Sequence, residues 1–183
     1  MTDDNEKSMR GWWRRMRQKR WFRWTFDIGL FVVALSLVSL WQGRHLLGGS
    51  TEAPAFELAD MSGETHELSD YSGSPTLVVF WAPWCPICGA ESDNLKRVAN
   101  WRSDNVDVIS VVLGYDSRAS ISEFIEKHDV DYPVLLGGQE IQTAYNISSF
   151  PTLYVIDKDG RIAHSKVGYT TTFGMWWRSF AWF

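Results

Sequence analysis

Cysteine is almost absent from this chain of 183 residues, which has only Cys85 and Cys88. That scarcity excludes a scaffold of several disulfides and a zinc site of four thiolates. Histidine is sparse too, and His45, His66, His128 and His164 show no paired spacing for a metal. Basic charge is thin after Arg44: nine Lys/Arg stand against eighteen Asp/Glu, a net of −9 that makes a poor nucleic-acid binder. No internal repeat or low-complexity tract occurs beyond residue 52. What is present is a chain 45% hydrophobic and 22% charged, outside the disordered range. Without an N-terminal segment considered next, about 130 residues remain, enough for one domain with a real core.

The charge is split. Through Arg44 there are nine Lys/Arg and four Asp/Glu, a net of +5. Seven of those bases, from Arg10 to Arg23, precede an uninterrupted run of apolar and Ser residues over 28–41. Counted as 24–41 the stretch has eighteen residues, roughly 27 Å as a helix against a hydrocarbon core of ~30 Å. Asp27 near the basic end has Arg23 four residues back as a partner, and Trp21, Trp24 and Trp41 bracket the run as an aromatic belt does. We read 1–23 as a basic cytoplasmic segment, 24–41 as a single transmembrane anchor, 42–52 as a polar, Gly-rich tether and 53–183 as the folded domain. A cleaved secretory signal is the rival reading, with small residues at Ala53-Pro54-Ala55. The positive-inside rule leaves the N-terminus in the cytoplasm and the domain outside, in the periplasm of a bacterium, where a thiol pair can be oxidised.

Within the domain, Ala55-Phe56-Glu57-Leu58 and Glu64-Thr65-His66-Glu67-Leu68 alternate around Ser62-Gly63 and predict a hairpin. The apolar run Thr76–Trp81 predicts a strand buried on both faces, and 106–113 a second. Proline suits a first helical turn, so a helix is expected from Cys85-Pro86. Ser120 with Glu123 reads as a capping box ahead of Ile121, Phe124 and Ile125. A short strand over 132–136 and a short helix through Ile141, Ala144 and Tyr145, ended by Asn146, follow. Thr152–Ile156 and Ile162–Val167 flank the turn Asp157-Lys158-Asp159-Gly160. Phe173, Trp176 or Trp177, and Phe180 have helical spacing and are expected to face the core, with Trp182 reaching a membrane interface. Strands alternating with helices, then a hairpin and a helix, predict a three-layer α/β domain with a mixed sheet.

The two cysteines stand two residues apart where a buried strand gives way to a helix. At a helix N-terminus the Cys85 sulfur meets unpaired backbone N–H groups and the positive end of the macrodipole, which favour thiolate over thiol. Cys88, one turn on, meets more backbone and less water and keeps its proton longer. Cys85 is then expected to attack a partner disulfide and Cys88 to resolve the mixed disulfide. A purely structural bridge is disfavoured, since so short a loop restrains little of the unfolded chain. A Cu(I) carrier with two thiolate ligands stays open as a reading of another class. A peroxidase is disfavoured because Cys85 lacks the proline-and-threonine surroundings that a peroxidatic cysteine needs and has Trp84 where such a site wants hydrogen-bond donors.

Phe80-Trp81-Ala82-Pro83-Trp84-Cys85-Pro86-Ile87-Cys88 resembles the active-site stretch of the thioredoxin fold, and Phe150-Pro151-Thr152 its cis-proline loop. Pro54-Ala55-Phe56, Leu68 and Tyr71-Ser72-Gly73 resemble the N-terminal hairpin of the membrane-anchored periplasmic, TlpA/DsbE-like branch. The section 110–145 resembles that branch's strand-helix insertion. Val167-Gly168-Tyr169-Thr170 with Phe173-Gly174-Met175-Trp176 is most similar to the suppressor-of-copper-sensitivity group. The resemblance implies a thioredoxin-like fold with a central mixed sheet flanked by helices, preceded by one transmembrane helix. It implies that Cys85 and Cys88 form the redox disulfide, that Phe150-Pro151 is cis, and that Pro86, Phe150 and Pro151 border bound substrate with Trp84 covering the thiols. Where thioredoxin buries an Asp in its central strand this chain has Val79. Glu91, on one helix face with Cys88, Leu95 and Val98, is the candidate that takes the proton of Cys88. The expected partners are exported proteins with disulfides, a membrane electron donor of the DsbD type and the inner membrane, with no cofactor, no metal and no nucleic acid. Reduction of disulfides is the expected direction; reduction of haem-attachment cysteines in cytochrome c maturation is the alternative.

Overall fold

The computed structural model describes residues 26–34, 46–48, 50–102 and 106–180, in two compact units, Met1–Gln42 and Gly43–Phe183. In the first unit 26–34 is helical with every residue exposed. The remainder of the expected anchor 24–41, and all of the basic segment 1–23, lie outside the described residues. Among the described residues no helix is long and apolar enough to cross a membrane.

The second unit opens with the hairpin β1 (Glu57–Ala59) and β2 (Thr65–Glu67), paired antiparallel with Leu58 opposite His66. The strands are shorter than predicted because Asp60 organises a wide turn. Its Oδ1 accepts the amides of Ser62, Gly63 and Glu64 at 2.8–2.9 Å, and Gly63 takes φ +94°, which a side chain would resist. A 3₁₀ turn over Leu68–Tyr71 leads to β3 (Thr76–Trp81), which has the predicted bounds and is buried throughout. There follow α1 (Pro86–Arg102), β4 (Asp107–Val112), α2 (Arg118–His128), β5 (Val134–Leu136), α3 (Gln139–Ala144), β6 (Thr152–Ile156), β7 (Ile162–Val167) and α4 (Thr172–Phe180). The sheet order is β5-β4-β3-β6-β7, with β3, β4 and β5 parallel and β6 and β7 antiparallel. This is the predicted mixed sheet.

Alternation along β3 divides the core. Val78 and Phe80 point to one face, with Ile109, Val111, Leu135, Ile141, Tyr145 and Tyr154. Leu77 and Val79 point to the other, with Leu95 and Val98 of α1, Leu153, Val155 and Met175 of α4. Both faces are covered, so the domain has three layers, and each large apolar side chain so buried contributes about 1.5–3 kcal/mol. On the first face the Tyr145 hydroxyl donates to the Pro54 carbonyl at 2.7 Å and the Tyr154 hydroxyl to the Tyr145 carbonyl at 2.6 Å. These bonds tie the stretch ahead of β1 to the sheet.

Two expectations are corrected. The N-cap of α2 is Ser117, three residues before the proposed Ser120; its Oγ accepts the Ser120 amide at 3.3 Å. Arg118 and Ala119 are good helix formers, so the helix starts a turn earlier and Glu123 lies in its interior. Phe173 and Trp177 of the terminal aromatic stripe do not face the core. Among the described side chains of α4 Met175 is the fully buried one, whereas Phe173 and Trp177 are 68% and 61% exposed. At 100° per residue these two positions lie nearly opposite Met175, and a helix resting on the sheet and α1 buries only one side. The Phe180 side chain and Trp182 lie outside the described residues.

Candidate active site

β3 delivers the chain to the site and α1 receives it. The Cys85 amide donates to the Ala82 carbonyl at 3.1 Å, and the Cys85 carbonyl accepts the amides of Cys88 at 3.2 Å and Gly89 at 3.3 Å. These bonds wind the first turn around the Cys-Pro-Ile-Cys stretch, with Pro86 at the first helical position, where no amide is needed. Cys85 and Cys88 are joined in a disulfide with Cα atoms 5.3 Å apart. The Cys88 amide also donates to the Cys85 sulfur at 3.2 Å, so the helix end holds a donor on the sulfur where thiolate charge would form.

Both cysteines are buried and pack with Trp81, Ala82, Phe124 and, in part, Phe150. A cleft of about 320 Å³ opens beside them, lined by Cys85 but not by Cys88. The expected division between a reachable and a sheltered sulfur thus has a geometric counterpart. Trp84 and Pro86 line the same cleft. The Trp84 ring is 64% exposed, so it forms a wall of the cleft more than a lid. Its indole N–H donates to the Gly114 carbonyl at 2.8 Å, and its ring meets Phe150 edge-on at 5.6 Å. Phe150-Pro151 is cis, as the resemblance implies, and Pro151 is buried.

Glu91 lies on the buried face of α1 with Cys88, Leu95 and Val98, as its spacing predicts, and is 1% exposed. Oε1 accepts the Thr170 amide at 2.6 Å, while Oε2 is buried with no hydrogen-bond partner. Burial raises its pKa from 4.5 to about 7, against the lowering effect of the Thr170 bonds and Lys166. Val79 packs in an apolar cluster on this side with Leu95 and Val98, and Glu91 is a buried acid on the same inner face of α1.

Sequence reasoning missed the far wall of the cleft, made by Tyr115, Asp116, Ser120, Glu123, Phe124, Lys127 and His128. These residues lie thirty or more positions from Cys85, and the local pattern in Ser120, Glu123 and Phe124 marks a helix and not a wall of the site. The His128 ring lies tilted against Phe124, with centroids 4.5 Å apart, and fills the space where a Cβ on Gly89 would lie, 2.5 Å from its Cε1. Gly89 therefore lets His128 sit one residue past Cys88. Gly89→Ala is expected to gain about 1 kcal/mol of helix propensity yet lose about 1–3 kcal/mol by crowding His128. In a His128→Ala background only the gain remains, so the urea midpoint should fall in the first variant and rise when the same change is added to the second. At the hairpin, Asp60, Glu64 and His66 bring ligand atoms within 4.8 Å of one another, a cluster that histidine spacing alone did not reveal. Asp60 serves there as the turn's acceptor.

A bridge across a single helical turn adds little to stability, and its chemical use lies in opening and closing. With this fold around it, the pair defines a thioredoxin-like thiol–disulfide oxidoreductase. The chain belongs to the AhpC/TSA family, whose profile matches residues 50–165. It is 32% identical over 125 residues to the thiol-disulfide oxidoreductase ResA of Geobacillus kaustophilus, covering 67% of this chain and 71% of that one. It is also 32% identical over 122 residues to the thioredoxin-like protein YneN of Bacillus subtilis, covering 66% of this chain and 72% of that one. Among solved structures, the pneumococcal exposed lipoprotein thioredoxin of Streptococcus pneumoniae superposes with a TM-score of 0.63 at 30% identity, over 69% of this chain and 98% of that one. A thioredoxin-family thiol:disulfide interchange protein of Chlorobium tepidum superposes with a TM-score of 0.64 at 22% identity, over 74% and 98%, a likeness of fold.

Proposed function

We propose that the protein is a membrane-anchored reductant of disulfides in exported proteins. Its N-terminal segment spans the bacterial inner membrane once and its domain works in the periplasm. The observation that carries the redox part is the Cys85 sulfur, which holds a backbone N–H at 3.2 Å and lines the open cleft. In the working cycle the Cys85 thiolate attacks one sulfur of a partner disulfide and the other leaves as thiolate. The Cys88 thiol gives its proton to Glu91, and its sulfur attacks Cys85. The Cys85–Cys88 disulfide forms and the partner departs reduced by two electrons. Trp84, Pro86, Phe150 and Pro151 border the extended segment that carries the partner disulfide. A membrane donor of the DsbD type returns the two electrons. Haem-attachment cysteines fall within this substrate class, and a link to copper tolerance follows the resemblance of 167–176 to the copper-sensitivity group.

Equilibration with glutathione tests the direction. A potential well below the glutathione couple, near the thioredoxin value of about −270 mV, supports a reductant; one near about −120 mV makes the protein an oxidant and ends this reading. The anchor is tested apart from the chemistry. Full-length protein should stay with the membrane pellet through an alkaline carbonate wash, and release into the supernatant sinks the spanning segment.

A further inference from the structure

Helix α4 leaves its aromatic side uncovered. Phe173 and Trp177 stack at 6.4 Å, Phe173 meets Trp176 at 5.6 Å, and Trp176 stacks on Trp101 of α1 at 6.3 Å with the rings 8° from parallel. Trp101 is 68% exposed, as is Phe173. Four large rings from two helices thus form one continuous patch at the surface, of a kind that soluble domains rarely leave bare.

The C-terminal part of the chain that holds α4 differs in charge from the rest of the domain, while at the Trp101 end of the patch Asn100 donates to Asp131 at 2.9 Å. After Asp159 the chain has no acidic residue and carries Arg161, Lys166 and Arg178; from His45 to Asp159 it has eighteen acids and six bases. The Arg178 Nε donates to His164 Nε2 at 2.7 Å, which brings α4 against the edge strand β7. Burial first, then the nearby charges of Arg178 and Lys166, lower the pKa of His164, so the three bases share one neighbourhood. Glu91 also acts on Lys166, but that acid is buried beneath the sheet-facing side of α1. Aromatic rings on one side of an amphipathic helix that itself carries Arg178 and no acid are the composition of an interfacial helix. The strongly acidic remainder is repelled from a negative surface, which orients the domain with α4 toward it.

We propose that α4 and the end of α1 form a docking surface for the headgroup region of an anionic phospholipid bilayer, with Trp101, Phe173 and Trp177 entering the interface and Lys166 and Arg178 facing the lipid phosphates. A protein partner also uses Trp and Arg, but it has no need of a terminal helix free of acids on an otherwise acidic domain. The inference is independent of the thiol chemistry and of the direction of electron flow.

Hydrogen exchange on the full-length protein tests it, in detergent, in phosphatidylcholine vesicles and in vesicles containing one part phosphatidylglycerol to three of phosphatidylcholine. Amides of α4 should exchange about tenfold or more slowly in the anionic vesicles than in the other two, and raising salt to about 0.5 M should weaken the protection. Phe173→Ser with Trp177→Ser should abolish it, and Lys166→Gln should reduce it, with exchange in β3 unchanged as the sign of an intact fold. Equal exchange of α4 in the two vesicle types overturns the proposal. So does protection that appears only when a second protein is added.

Discussion

Cys88→Ser is expected to accumulate covalent adducts of the protein with its partners and to lose steady-state disulfide reduction by more than about 10³-fold. The cleft admits a partner to Cys85, whose sulfur accepts the Cys88 amide and sits at the positive end of α1, so the first attack survives the substitution. Resolution does not, because serine supplies no second thiol. The adducts should release under dithiothreitol and vanish in Cys85→Ser with Cys88→Ser. Their absence in Cys88→Ser, in cells expressing the full-length protein, counts against exchange through Cys85. Mass spectrometry of the trapped proteins names the substrates.

Glu91→Gln is expected to separate stability from turnover. An acid whose pKa is raised on folding keeps its proton longer in the native state, here to about 7 where the unfolded chain loses it near 4.5. Between those values the unfolded state binds fewer protons, so stability falls as pH rises through the window and levels off above about 7. At ~1.4 kcal/mol per pKa unit the wild-type loss is about 3 kcal/mol in all. Glutamine does not titrate and keeps an acceptor for the Thr170 amide. The variant should therefore match the wild type near pH 4 and exceed it by up to about 3 kcal/mol at pH 8 in urea titrations. In the proposed relay, the same change removes the acceptor of the Cys88 proton. Turnover should drop about 10²-fold, and the inflection near pH 7 should disappear from the pH–rate profile. A more stable variant with unchanged rates and an unchanged profile would mean that Glu91 only caps the Thr170 loop.

The elements around the cysteines were legible because their signals are local. β3 and β7 are continuous or alternating runs bounded by turn residues, and Pro86 marks the start of α1. The face shared by Cys88, Glu91, Leu95 and Val98 follows from the helical period alone. The start of α2 was misplaced at Ser120, because the helix-forming Arg118 and Ala119 carry the helix back to a cap at Ser117. The far wall of the cleft had no local signature. His128 reaches Gly89 only because α2 packs beside α1, a contact between residues 39 positions apart.

Local sequence is enough for the order of strands and helices, the placing of two thiols at a helix N-terminus, and the acid one turn beyond them. Backbone sterics and hydrophobic period act within a few residues, and they suffice for that much. Packing between distant segments made the far wall of the cleft, left one Glu91 carboxyl oxygen buried and unpaired, and turned Phe173 and Trp177 outward. Each of those outcomes is a competition for interior space among segments far apart in the chain. It is settled by packing volume and desolvation, to which local sequence is blind.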